Sequence, residues 1–472
     1  MNVLAIDQGT SATKALLVGP DDEILGSAEA PVTVRSTGDA VETDPDALFA
    51  SVLTAGAGAL ASAGAPAHAV ALANQGETVL AWDRATGKPL TPAIVWQDRR
   101  SGGVCARLAG SAERLADITG LRLDPYFAAP KMTWLRENLT GDGVVTTTDT
   151  WLLARLGAGY VTDAATASRT LLLGLDTAEW SAEACAAFGL DPGTLPEVVD
   201  CAGVVGETTA FGPRALPVAG LAVDQQAALL AEHCLTAGEA KCTYGTGAFL
   251  LAATGGRPVR SGAGLAASVA WRLGGRPAYC LDGQVYAAGA AVRWLGDVGL
   301  IGSPADLDRL GGDGTGGVTF VPSLAGLGAP HWRPDARGAF TGLGLGTTRE
   351  HLVGAVIEGI AAAVAVLAGS VAGDLGAPLT ALRADGGLTR SRRLCQAQAD
   401  LLQAPVEVYR SPHATALGAA ALARLGAGAA ASLPDALGPA GVETIIDPAL
   451  PAGQAAQRLA AFRSAVRATL AA

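Results

Sequence analysis

Aromatic side chains are scarce in this chain: 5% of residues, although 50% are hydrophobic. Ala supplies much of that hydrophobic share, so the positive mean hydropathy does not signal a membrane protein. A bilayer span needs about 20 mostly apolar residues. The best stretch, Leu352 to Gly373, is rich in Ala and Gly and broken by Glu358, so it reads as a buried helix. Five His without clustered spacing give no zinc site. Seven Cys, an odd number at scattered positions, argue for free thiols in a reducing cytoplasm. Positive charge is also in deficit, with a net charge of −11 and no basic patch. Nucleic acid and anionic membrane are therefore poor partners. Met1 leads straight into a strand pattern, so no signal peptide is expected. No G-x-x-x-x-G-K-[ST] run occurs, which excludes a P-loop.

What is present is organised around the N-terminal stretch. The 472 residues allow two or three domains with full cores. Val3 to Ile6 is a short apolar run that reads as a buried strand. Gly9 breaks it, and Ala15 to Val18 begins a second run, giving strand, tight turn, strand. The turn carries Asp7, Gln8, Thr10, Ser11, Thr13 and Lys14. Gly9 lets the backbone approach a ligand closely. Hydroxyls and amides there can bond phosphate oxygens, and Lys14 can supply positive charge. Asp7 closes a strand, where a carboxylate can hold a hydrated Mg²⁺. The plain alternative is a polar hairpin with no ligand.

A second copy decides between them. Ala240 to Thr254 repeats the pattern around Gly245-Thr246-Gly247. Two such hairpins, each opening one half of the chain, predict two related halves with phosphates between them. That arrangement resembles the superfamily of sugar kinases, actin and heat-shock ATPases.

Between the hairpins, polar residues stand where strands end, the position of sites in α/β sheets. Ala69 to Ala73 reads as a strand ending in Asn74-Gln75-Gly76-Glu77-Thr78. Trp96 lies beside Gln97-Asp98-Arg99-Arg100, too much charge for a plain core strand, with a structural ion-pair cluster as the alternative. Asp124-Pro125-Tyr126-Phe127 is a turn that presents an aromatic. A strand ends at Val223 and a helix begins at Asp224; an Asp there can be only a cap. Thr43-Asp44-Pro45 starts one helix. Thr347 with Glu350 is read as the capping box of another. A tight hinge is expected near Ala231 to Gly238, so residues 1–230 form one domain and 231–472 the other.

Eight short stretches in order make the chain resemble the FGGY carbohydrate kinases, and glycerol kinases among them. They are D-Q-G-T-S-A-T-K (Asp7 to Lys14), V-W-Q-D-R-R (Val95 to Arg100), D-P-Y-F (Asp124 to Phe127) and A-S-R-T-L-L (Ala167 to Leu172). Next come V-D-Q-Q-A-A-L (Val223 to Leu229), T-Y-G-T-G-A-F (Thr243 to Phe249), G-L-G-A-P-H-W (Gly326 to Trp332) and D-G-G-L-T-R-S (Asp385 to Ser391). The resemblance implies an α/β, two-domain actin-like (ribonuclease H-like) fold with ATP in the interdomain cleft. It implies Asp224 as general base, and Asp7 and Asp224 near Mg²⁺. Thr10, Ser11, Lys14 and Thr246 would contact phosphates. Gly289, Arg293, Gly387 and Ser391 would lie at the nucleotide. Glu77, Trp96, Tyr126, Asp224, Gln225 and Phe249 would bind the polyol. One departure stands out: Gly76 occupies a position where glycerol kinases carry an Arg that bonds glycerol. A longer polyol or a pentulose is therefore expected over glycerol, unless Arg99 or Arg169 substitutes. Competing readings are glycerol kinase proper, pentulose kinase, and a sugar sensor or actin-like ATPase. A homodimer is compatible with all of them.

Overall fold

The computed structural model describes residues 1–310 and 314–471. Strands β1 (Val3–Gln8), β2 (Ala12–Val18), β3 (Ile24–Pro31), β4 (Ala69–Asn74), β5 (Ala202–Thr208) and β6 (Leu216–Val223) form one sheet in the order β5-β6-β4-β1-β2-β3. The β1–β2–β3 meander is antiparallel, while β1, β4 and β6 run parallel. A second sheet is built from β7 (Ala240–Tyr244), β8 (Ala248–Gly255), β9 (Ala266–Leu273), β10 (Arg276–Val285), β11 (Leu382–Asp385), β12 (Val406–Tyr409) and β13 (Val442–Ile446). Its order is β9-β10-β8-β7-β11-β12-β13, with β7, β11 and β12 parallel. Each half thus opens on a hairpin, extends it with antiparallel strands (one in the first sheet, two in the second), and adds two parallel strands and an antiparallel edge. The repeat expected from the two Gly-Thr hairpins is present as topology.

Parallel strands buried on both faces need unbroken apolar runs. β4 (Ala-Val-Ala-Leu-Ala-Asn) is buried at every residue, and β1 at all but Asp7. Their register brings chemistry together: Asp7 lies beside Ala73, Gln8 beside Asn74, and Asn74 beside Val223. The polar residues therefore emerge at one edge, at the carboxyl ends of three adjacent strands.

Helix α1 (Pro45–Ala63) covers β2 and β3. Asp44 caps it by accepting from the Asp46 and Ala47 amides, Pro45 opens it, and Gly64 ends it with φ of 61°. Helix α2 (Ala128–Asn138) follows the Asp124 turn. Two further helices exchange between the halves. Helix α3 (Asp224–Ala231) continues from β6 of the first sheet yet packs on β7, β8 and β9. Helix α4 (Gly289–Asp297) follows β10, and α5 (Arg349–Leu375) is the long core helix, largely buried. Helix α6 (Arg392–Leu402) precedes β12, and α7 (Ala414–Gly426) follows it. Helix α7 returns to the first sheet, packing on β1, β4, β6 and α3. A linear division at residue 231 is thus crossed by α7. Ala and Gly dominate the α3–α7 contact because only small side chains let two backbones come this near.

The start of α5 differs from expectation by one residue. Thr348, not Thr347, is its N-cap, accepting from the His351 amide. His351 Nδ1 in turn accepts from the Thr348 amide, the reciprocal role assigned to Glu350.

Candidate active site

Helix α3 begins immediately at the end of β6, so its first residue, Asp224, is held at the sheet edge. Val223 is the N-cap position, and Asp224 is the first helical residue. Its carboxylate accepts from the Gln225 amide at 2.6 Å, which serves the helix start. It lines a cavity of about 390 Å³ together with Thr10, Ser11, Glu77, Trp96, Tyr126, Gln225, Thr246 and Phe249. Burial raises the Asp224 pKa to about 6, with repulsion from Glu77 adding to the shift.

Glu77 reaches the cavity through a strained backbone. Its φ is 61°, and the Thr78 amide donates to Gly76 O at 2.8 Å, a γ-turn. A non-glycine residue there costs about 1–3 kcal/mol and marks a site where geometry outranks stability. Three aromatic rings wall the same space. Trp96 meets Tyr126 edge-on at 5.6 Å and Phe249, from the other half, at 6.3 Å. Trp96 Nε1 donates to Thr10 Oγ1 at 2.9 Å, and Thr10 Oγ1 donates to Gln75 Oε1 at 3.1 Å, tying the wall to the first hairpin. Apolar faces beside carboxylates suit a ligand with C–H bonds on one side and hydroxyls on the other.

The turn carrying Tyr126 is held from below. Lys131, fully buried on α2, donates from Nζ to the carbonyls of Pro125, Tyr126 and Phe127 at 2.5–2.9 Å. Burial lowers its pKa to about 7, yet three acceptors match the three N–H bonds of the ammonium form, which alone satisfies all of them. Lys131→Met should leave these carbonyls unbonded and lower stability by about 3 kcal/mol. Ligand binding in this cavity should weaken at least tenfold, roughly, as Tyr126 moves. A thermal melt, and the KM of the ligand in this cavity set against that of its co-substrate, check this.

A second cavity, about 610 Å³, adjoins the first through Thr246. Gly245, Gly289, Arg293, Gly387 and Ser391 line it. Gly289 permits the contact: a Cβ there would stand 2.6 Å from Gly245 O. Ser391 is already engaged, donating to Asp308 Oδ1 at 2.6 Å and capping α6. Its hydroxyl therefore shapes the cavity rim. Two expected residues lie outside both linings. Lys14 pairs in register with Glu29 of β3, and its ammonium sits 3.9 Å from that carboxylate. Lys14 also lies opposite Asp7 in the hairpin, where its charge partly offsets the rise in the Asp7 pKa. Asp7 lies behind the turn, where burial, then repulsion from Asp224, raises its pKa to about 7. Two partly buried carboxylates that repel one another, with all-oxygen donors, fit a hard divalent cation that keeps its remaining sites for water and phosphate. Among the described residues no cluster of three metal-ligating side chains occurs.

Arg99, Arg169, Asp282 and Tyr286 also line the first cavity. Arg169 lies in the A-S-R-T-L-L stretch, so its sequence carried a signal. Asp282 sits within the apolar strand β10 and carried none. Gly76 does not open a large void: a Cβ there would meet Val223 Cγ2 at 2.9 Å, with Arg169 Cγ at 3.9 Å.

Models of the FGGY family of carbohydrate kinases match both halves, the N-terminal domain over residues 2–231 and the C-terminal domain over 240–427. The chain belongs to the FGGY family. It is 43% identical to a glycerol kinase of Alkalilimnicola ehrlichii over 98% of this chain and 97% of that one. It is 46% identical to a glycerol kinase of Thermus brockianus, covering 90% of each. Among solved structures it matches Plasmodium falciparum glycerol kinase with ADP, with a TM-score of 0.92 and 31% identity over 99% of this chain and 98% of that one. A xylulose kinase of Rhodospirillum rubrum matches with a TM-score of 0.86 and 26% identity, over 100% and 99%. This FGGY kinase is thus a two-domain α/β phosphotransferase that uses ATP to phosphorylate a sugar or polyol.

Proposed function

We propose that this FGGY kinase transfers the γ-phosphoryl group of ATP to a hydroxyl of a short acyclic polyol, with Asp224 as general base. The observation that carries this reading is the placement of Asp224. It stands at the sheet edge in a cavity with Glu77, Gln225 and three aromatic walls, and Thr246 lines both that cavity and the second one. The Asp224 carboxylate takes the hydroxyl proton as the hydroxyl oxygen attacks the γ-phosphorus. The bond from that phosphorus to the bridging oxygen breaks, and ADP departs. Amides and hydroxyls of the two hairpins, at Thr10, Ser11 and Thr246, face the transferring group. Gly289, Arg293 and Gly387 border the adenosine side. Asp7 and Asp224 would hold Mg²⁺, which neutralises phosphate charge when bound. Lys14, opposite Asp7 in the first hairpin, contributes positive charge on the phosphate side.

The matched spans 2–231 and 240–427 support a hinge at 231–238. All seven Cys are free thiols, which supports a reducing compartment such as the cytoplasm. A homodimer is the assembly to test by light scattering.

Gly76 favours a second reading, a substrate longer than glycerol, because no Arg projects from that position. Arg99 and Arg169 line the same cavity and favour glycerol retention. An ADP-release assay over glycerol, erythritol, threitol, ribitol, xylulose and ribulose decides. A guanidinium bond to a buried hydroxyl contributes about 1.5–3 kcal/mol, so its absence should leave glycerol at least tenfold, roughly, below the best longer substrate in kcat/KM. Glycerol as the preferred substrate would make Gly76 a tolerated change within a glycerol kinase.

A further inference from the structure

A buried chain of charge crosses between the halves at the first cavity. Arg169 Nε donates to Glu77 Oε1 at 2.7 Å, and Arg169 Nη1 stands 2.6 Å from Asp282 Oδ2. Their side chains are 4%, 6% and 8% exposed. Arg169 and Glu77 belong to the N-terminal half, and Asp282 to β10 of the other. Such a triad is a poor device for stability, because desolvating three charges offsets much of their attraction. Well-packed apolar residues would hold the halves together as firmly. Its location on the cavity wall gives it another use.

The valences support one. Arg169 Nη1 lies close to Asp282 but makes no well-directed hydrogen bond. Gln284 Nε2 donates to the other oxygen of Asp282 at 2.5 Å, fixing that carboxylate from behind. Tyr126 packs beside the guanidinium, with Arg169 Cζ 5.9 Å from its ring centroid. A guanidinium and a carboxylate side by side present what one hydroxyl needs, since it accepts from the first and donates to the second.

We propose that Arg169 and Asp282 together recognise the substrate hydroxyl farthest from the one phosphorylated, so that the C-terminal half takes part in choosing the polyol. The proposal rests on the polyol-kinase reading. It makes Asp282 a specificity-determining residue, and it couples polyol binding to apposition of the halves. A ligand lacking the distal hydroxyl would leave this ion pair desolvated without a partner, and would be rejected.

The test compares the best polyol of the panel with its analogue deoxygenated at the distal end, for example glycerol with propane-1,2-diol, in full-length wild type and Asp282→Asn. Wild type should prefer the intact polyol by about ten- to hundredfold in kcat/KM. In Asp282→Asn the polyol KM should rise about tenfold, the ATP KM should stay within about twofold, and the intact-to-deoxy preference should shrink toward unity. An unchanged preference in the variant, or an equal rise in both KM values, overturns the proposal. Arg169→Lys keeps the buried cation but loses the fork, and should also lose the preference. It decides the matter should Asp282→Asn fail to fold, a retained preference overturning the proposal. A wild type that phosphorylates no polyol overturns the underlying reading, and this one with it. An active wild type with an unaltered preference in the variants overturns this one alone.

Discussion

Asp224→Asn is expected to lower kcat by about 10²–10⁴-fold while leaving the ATP KM nearly unchanged. Asn keeps the shape of the side chain and can still accept from the Gln225 amide, so the start of α3 is preserved. What it loses is the ability to take a proton and one anionic oxygen toward Mg²⁺, which adds to the loss of turnover. The folded protein should not suffer otherwise. Burial and Glu77 raise the Asp224 pKa to about 6, so the ionised form is disfavoured in the fold. An acid whose folded pKa lies above its unfolded value destabilises the fold increasingly as pH rises from the unfolded pKa through about 6. A neutral Asn removes that penalty. In the absence of ligands the variant should therefore melt no lower than wild type at neutral pH. Turnover measured beside a thermal melt separates lost chemistry from lost fold. A variant turning over within a few-fold of wild type would end the assignment of Asp224 as base.

The features that follow from local rules were legible in the sequence. Both Gly-Thr hairpins stand where the apolar runs and breaks put them, and Asp44-Pro45 caps α1 as its residue types require. Asn74 and Val223 were readable as strand ends because hydrophobic runs stop there. What depended on the meeting of distant segments was not legible. Nothing in Leu-Asp-Gly-Gln marks Asp282 as a partner of Arg169, since the pairing is created by the two halves facing each other. The capping residue of α5 slipped by one because Thr347 and Thr348 are chemically equal, and tertiary position chose between them. The exchange of α3 and α7 is the deepest such feature. Both helices are Ala-rich with little amphipathic contrast, so their sequences say only that they are buried.

That exchange makes a second large effect. Helix α7 crosses α3 at Gly418, where an added Cβ would lie 1.9 Å from Ala227 O and 2.7 Å from its carbonyl carbon. The obstructing atoms are backbone within α3, so no rotamer change can relieve the clash. Elsewhere in helices Gly→Ala is favourable by about 0.5–1 kcal/mol. Gly373 in α5, with nothing within 4 Å of an added Cβ, should show that gain. Gly418→Ala should instead cost about 3 kcal/mol, the upper end of overpacking penalties, with a correspondingly lower Tm. Because α3 carries Asp224 at its first residue, pushing α7 outward should also displace the carboxylate, and a shift of about 1 Å can cost 10²-fold in turnover. The two effects should travel together in Gly418→Ala and be absent in Gly373→Ala. A Gly418→Ala protein as stable and active as wild type would mean that the α3–α7 crossing has room to spare, and that the small residues along it do not set the position of the base.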